Sequence, residues 1–179
     1  MGEPAAQEAP AKPAVKVDLK PKVKFSTNMG DFIVELDAEK APITVKNFMA
    51  YVDGGFYTNT IFHRVISNFM IQGGGFTADM NKKTTKAPIV LESRNGLSNL
   101  RGTIAMARTN NPNSATSQFF INVQNNRNLD SFGGGYAVFG KVTEGMETVD
   151  KIRNIQTAPK AGHRNVPVDQ VDIKSATRL

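Results

Sequence analysis

The sequence predicts a mainly β protein, an antiparallel sandwich or barrel with two helices, and three observations carry that prediction. Short apolar runs separated by Gly, Asn and Pro recur through the middle of the chain, at 61–66, 69–72, 89–91, 103–107, 118–123 and 136–142, the spacing of successive short strands. Apolar residues near both ends of the chain alternate with period two, and only two stretches carry a helical period. The 179 residues, 40% hydrophobic and 21% charged, suit one core with at most an appendage.

Residues 1–21 are rich in Ala, Pro, Lys and Glu, and only Val15, Val17 and Leu19 could anchor them to a core. They read as an extended, solvated leader ahead of a domain at 22–179. The leader lacks the apolar run of roughly 7–15 residues that a secretory signal needs. A spacer of this composition ahead of a compact domain predicts an exported, periplasmic protein, with the cytoplasm as the alternative.

Val23 and Phe25 alternate with Lys24 and Ser26, Asn28-Met29-Gly30-Asp31 supplies turn residues, and Phe32, Val34 and Leu36 alternate again. This is a β-hairpin. Ala41-Pro42 opens a helix in which Val45, Phe48, Met49 and Val52 share one face, and Gly54-Gly55 closes it. A second helix is expected at 145–153, with Met146, Val149 and Ile152 on one side, and a last strand at 168–176 closes the sheet.

Several chemistries are excluded. There is no Cys, hence no disulfide, thiolate nucleophile or Cys-ligated metal. The only histidines, His63 and His163, lie a hundred positions apart without a metal-binding spacing, so neither a metal nor another cofactor is expected. No GxSxG motif occurs, and Ser117 sits in a polar loop leading into a strand. Gly73-Gly74-Gly75 and Gly133-Gly134-Gly135 are not followed by Lys-Ser/Thr or a helix start, and read as turns or bulges rather than phosphate cradles. No run approaches the ~18 apolar residues of a spanning helix. Two of the six excess positive charges fall in the first 24 residues and the others are scattered, which argues against nucleic-acid binding.

Two neighbouring segments stand out, Phe62-His63-Arg64-Val65-Ile66 and Phe69-Met70-Ile71-Gln72-Gly73-Gly74. Strand alternation would place Phe62, Arg64 and Ile66 on one face, and Met70 with Gln72 on one face of the next strand. An arginine on an apolar face is costly unless a buried acid pairs with it or a function requires it. His63 reads as a structural side chain.

From about Val23 to the C-terminus the chain resembles the cyclophilin family of peptidyl-prolyl cis–trans isomerases, through FHRVISNFMIQGGGF, GTIAMARTNNPNSATSQFFINV, LDSFGGGYAVFGKV and GMETVDKI. The Tyr-Ala-Val-Phe-Gly block is closer to the bacterial members. The resemblance implies a closed antiparallel barrel of eight strands capped by two α-helices, with the substrate groove on its outside. By position, Arg64 matches the family's catalytic arginine and Gln72 the glutamine beside it. Phe69, Met70, Phe120 and Leu129 match the walls of the proline pocket, Ala107 and Arg108 the strand that pairs with the substrate backbone, and Gln118 another groove residue. Where many eukaryotic members carry Trp and His, this chain has Asn128 and Tyr136.

The resemblance implies proline-containing polypeptide substrates, folding assistance, no cofactor and a monomer. Losing the indole N–H implies weak cyclosporin binding. Arg108 stands where an Asn is common, and its charge is expected to favour acidic residues before proline. The reading from another class is a proline-peptide binding module or holdase chaperone with incidental isomerisation.

Overall fold

The structure, a computed structural model, describes residues 18–179. Residues 1–17, most of the expected leader, lie outside the described residues. Eight strands form one closed antiparallel barrel: β1 (Lys22–Thr27), β2 (Gly30–Leu36), β3 (Thr60–Ile66), β4 (Met70–Thr77), β5 (Thr103–Met106), β6 (Phe119–Asn122), β7 (Val138–Glu144) and β10 (Asp172–Arg178), in the order β1-β10-β3-β4-β6-β5-β7-β2. Closure leaves no open sheet edge in the barrel. Helices α1 (Pro42–Asp53) and α2 (Met146–Arg153) turn Val45, Phe48, Met49, Val52, Val149 and Ile152 into the main core.

Period-two alternation decides what fills the barrel. Phe25, Phe32, Ile71, Ile104, Phe119, Ile121 and Phe139 point inward, where Phe25 stacks on Phe32 at 4.9 Å between ring centroids and Phe48 meets Phe139 at 5.1 Å. The interior is solid with aromatic side chains. Any ligand must therefore sit on the outer face, where Met70, Ala105, Phe120 and Val138, the alternate residues of the same strands, form a second apolar cluster with Ala107 and Leu129.

The structure corrects the sequence reading at four places. Residues 89–91 are not a strand: Ile89 makes an isolated bridge to Ala115, and the N–H of Leu91 bonds to the Asn113 side chain, so side chains replace a ladder. The final strand begins only at Asp172. Ahead of it lies an unforeseen two-stranded sheet, β8 (Thr157–Lys160) and β9 (His163–Pro167), whose short polar sequence carries no clear apolar alternation. This hairpin covers β3 and brings together the two histidines that lie a hundred positions apart in sequence, with ring centroids 5.9 Å from one another and Phe76 packed on both.

The fourth correction bears on the site. Phe62 and Arg64 do not share a face: Phe62 and Val65 both enter the core, while His63 and Arg64 both point outward. A β-bulge causes this. Phe62 pairs with Gly73 and Arg64 with Gln72, so β3 carries one residue more than β4 across that step. Gly73 is required there, because a Cβ would stand 2.8 Å from the Ile61 carbonyl.

Candidate active site

The bulge sets Arg64 across from Gln72 on the outer face, where its Nη1 donates to Gln72 Oε1 at 3.3 Å. Gln72 Nε2 in turn donates to Gln118 Oε1 at 2.9 Å. Gly75 leaves room for this arrangement, since a Cβ at that position would lie 2.5 Å from the Gln118 side chain. Among the described residues no acid forms an ion pair with Arg64. The guanidinium is exposed, oriented by a neutral amide, and available.

Beside it opens a hollow of about 330 Å³ lined by Arg64, Phe69, Met70, Gln72, Ala107, Arg108, Phe120, Asn128, Leu129, Phe132 and Tyr136. Met70, Phe120 and Leu129 are almost fully buried and form its floor. The hollow thus collects Arg64, Gln72, Phe69, Met70, Ala107, Arg108, Phe120, Leu129 and Tyr136. Gln118 lines a smaller adjoining cleft with Thr109, Ser114 and Thr116, and reaches the arginine only through Gln72. Sequence reading missed Phe132 as a lining residue. Its one signal was a large apolar residue in an otherwise polar, glycine-rich loop.

Ala107 and Arg108 lie just past the end of β5, and Ala107 N–H bonds to the Gln118 carbonyl at 3.0 Å. The Arg108 side chain, whose charge was expected to favour acidic residues before proline, turns onto the neighbouring glycine loop. Its Cζ stands 4.4 Å from the Tyr136 ring centroid, and its N–H groups donate to the carbonyls of Thr109, Gly133 and Gly135 at 2.9 Å each.

Behind the apolar wall runs a ladder of buried amides. Asn126 Nδ2 donates to the Phe69 carbonyl (2.8 Å) and to Asn122 Oδ1 (2.9 Å), Asn122 Nδ2 donates to Asn99 Oδ1 (3.0 Å), and Asn99 Nδ2 donates to Asp130 Oδ1 (2.9 Å). Burial alone would raise the Asp130 carboxyl, but hydrogen bonds from Ser98 and Asn99 outweigh it and hold the pKa below the usual value. The ladder ties the Phe69 end of β4 to the segment bearing Leu129 and Tyr136. Asparagine is ordinarily a surface or turn residue, so nothing in the sequence distinguished these three.

His63 is buried beside Phe76 and His163, and its Nδ1 finds no hydrogen-bond partner. Burial, then the His163 and Arg64 charges, lower its pKa to about 4. It is a neutral packing residue under the β8–β9 hairpin. Among the described residues no group of three or more His, Cys, Asp or Glu could hold a metal ion, and no helix is long and apolar enough to cross a membrane.

Residues 22–178 match the family profile described as cyclophilin type peptidyl-prolyl cis–trans isomerase/CLD. The chain belongs to the cyclophilin family. Its curated relatives include a peptidyl-prolyl cis–trans isomerase of Acinetobacter baylyi, 57% identical over 155 residues covering 86% of this chain and 82% of the relative. Another is peptidyl-prolyl cis–trans isomerase B of Escherichia coli, 53% identical over 160 residues covering 87% of this chain and 98% of the relative. A crystal structure of a Cryptosporidium parvum cyclophilin superposes with a TM-score of 0.73 at 32% identity, covering 89% of this chain and 98% of that one. A second crystal structure of that protein, in the presence of the dipeptide Ala-Pro, has a TM-score of 0.71 at 32% identity, with coverage of 87% and 97%. The activity of this cyclophilin is peptidyl-prolyl cis–trans isomerisation.

Proposed function

We propose that rotation about the Xaa-Pro bond takes place in the hollow beside Arg64, with the proline ring on Phe69, Met70, Phe120 and Leu129. One observation carries this reading: a guanidinium with no acid partner among the described residues, oriented by Gln72, stands at the rim of an apolar hollow.

The peptide C–N bond resists rotation by ~18–20 kcal/mol because the nitrogen lone pair is delocalised into the carbonyl. At about 90° of twist that lone pair is localised on nitrogen and becomes a hydrogen-bond acceptor. Arg64 then gains a bond that neither planar isomer offers, so it binds the transition state selectively. No covalent step and no proton transfer is required. An acceleration of ~10⁵-fold needs about 7 kcal/mol, whereas one charge-assisted hydrogen bond supplies ~1.5–3. The apolar wall contributes the rest: a twisted amide is less charge-separated than a planar one, and a ring fixed in place leaves only the preceding carbonyl to swing. Gln72 and Gln118 hold the guanidinium fork, and Ala107–Arg108 offers backbone to an extended peptide.

The substrates on this reading are exposed proline-containing segments of unfolded or flexible chains. The related structure determined in the presence of Ala-Pro supports that ligand class. The protein acts as a monomer, and the composition of residues 1–21 supports export to the periplasm, which cell fractionation tests. Arg64→Ala is the decisive variant. It abolishes most turnover of a prolyl peptide while leaving its binding; unchanged turnover would overturn the assignment, and a cellular role indifferent to the change would favour a binding module or holdase.

A further inference from the structure

Phe132 is the most exposed of the large apolar side chains among the described residues, at 66% relative exposure. Its ring stacks on no other aromatic among them. An isolated exposed apolar residue is ordinary, but this one lines the mouth of the prolyl hollow and is carried by a loop held with unusual completeness.

Gly133, Gly134 and Gly135 all have positive φ, at 61°, 98° and 92°, a backbone region that side-chain-bearing residues rarely adopt. At Gly135 a Cβ would also stand 2.5 Å from the Asp130 carbonyl, so no larger residue fits. The loop's outward carbonyls are then claimed from two sides. Ser93 Oγ donates to the Gly134 carbonyl at 2.7 Å. Arg108 donates through Nη2 to Gly133 and Gly135 at 2.9 Å and to Phe132 at 3.4 Å, and through Nε to Gly135 at 3.3 Å, while its Cζ lies over the Tyr136 ring. With Nη1 bonded to Thr109, four of the five N–H donors of the guanidinium are committed. One Nη1 N–H is left over, so a substrate carboxylate would have to displace these bonds to pair with the fork in bidentate fashion. A fixed aromatic ring beside the pocket offers an incoming apolar side chain a surface already ordered before binding.

We infer that Phe132 is a specificity-determining residue: its ring is an apolar platform for a large apolar side chain flanking the substrate proline, and Arg108 is the positioning residue that holds the platform at the pocket mouth. This rests on the assignment of the hollow as the isomerisation site. It replaces a charge-based role for Arg108 with a structural one, because most of its donors are bonded to carbonyls of the loop.

The experiment uses peptides Ala-Xaa-Pro-Yaa-Ala, with Xaa or Yaa set in turn to Phe, Ala or Glu, and reads cis–trans exchange by two-dimensional NMR with catalytic amounts of the full chain. Phe at one of the two positions raises kcat/KM about three- to tenfold over Ala, the size of an aromatic pair contact. That ratio falls to near one in Phe132→Ala and in Arg108→Gln, and is retained in Phe132→Tyr. Because Phe132 is largely exposed, its replacement does not threaten folding. A ratio of one in the unaltered chain, or one that survives Phe132→Ala, overturns the inference; a ratio surviving Arg108→Gln overturns the part given to Arg108, as does a preference for Glu that this variant removes. Arg64→Ala run on the Ala peptide separates the two levels: unchanged turnover there overturns the site itself, whereas a flat Phe/Ala ratio with turnover lost in Arg64→Ala overturns the platform alone.

Discussion

Arg64 stands directly across the β3–β4 ladder from Gln72, 3.3 Å from its amide oxygen, because one additional residue in β3 turns His63 and Arg64 outward in succession. The bulge therefore creates the site. Without it, strict alternation would put the side chain of residue 64 among the barrel's aromatics, where an unpaired guanidinium could not remain.

Removing the guanidinium tests that relationship. Arg64→Ala is expected to lower kcat/KM by about 10- to 100-fold, the equivalent of one charge-assisted hydrogen bond of ~1.5–3 kcal/mol, while the affinity for a prolyl peptide changes little. Arg64→Lys is expected to recover only a small part, because a point charge lacks the planar fork that Gln72 orients. Exchange NMR reads turnover, and titration of the same peptide reads binding.

The amide ladder predicts a stability effect at a position far from solvent. Asn122→Leu removes its bonds to Asn99 and Thr103 and the one it accepts from Asn126, leaving the buried Asn99 Oδ1 without its donor and Asn126 Nδ2 with the Phe69 carbonyl as its remaining partner. The expected cost is roughly 2–4 kcal/mol, read as a lower urea midpoint with an unchanged slope. Because Asn126 also holds the Phe69 carbonyl, the loss of stability is expected to come with a loosened wall of the hollow, seen as a raised KM if prolyl substrates bind there as proposed.

His63 predicts a pH dependence. Its pKa is about 4 in the folded chain and 6.5 in the ordinary state, so the unfolded chain binds the proton more readily. Stability is complete above about pH 6.5, falls as the pH drops towards 4, and loses at most about 3 kcal/mol in that window. Thermal melts of the native chain should show this slope, and His63→Gln should flatten it. A native melting temperature constant from pH 7 to pH 4 would contradict the burial assigned to this imidazole.

Cyclosporin binding is expected to be weak. Asn128 lines the pocket where many eukaryotic cyclophilins carry Trp, and its small amide replaces both a broad apolar surface and an indole N–H. Calorimetric titration should give no nanomolar affinity, and Asn128→Trp should tighten binding more than it alters turnover.

The sequence could be read this far because its strongest signals are local. Val23, Phe25, Phe32 and Val34 alternate as a hairpin must, and the face shared by Val45, Phe48, Met49 and Val52 is the face α1 buries. Phe69, Met70, Phe120 and Leu129, which line the hollow, stood out through their position in the cyclophilin blocks. Phe132 was not, because its loop falls outside any period and its significance depends on which side chain lies across from it.

Sequence by itself determined the mainly β class, the two helices and the residue types that line the hollow, since period, turn chemistry and motif are properties of neighbours along the chain. Only the tertiary structure decided that β3 bulges at Arg64, that His63 meets His163, that three asparagines form one ladder, and that Arg108 grips a glycine loop instead of facing solvent. Each of these joins groups distant in sequence or turns on a one-residue change of register. Such contacts depend on how closed packing satisfies buried polar groups, a condition that exists only once the barrel has formed.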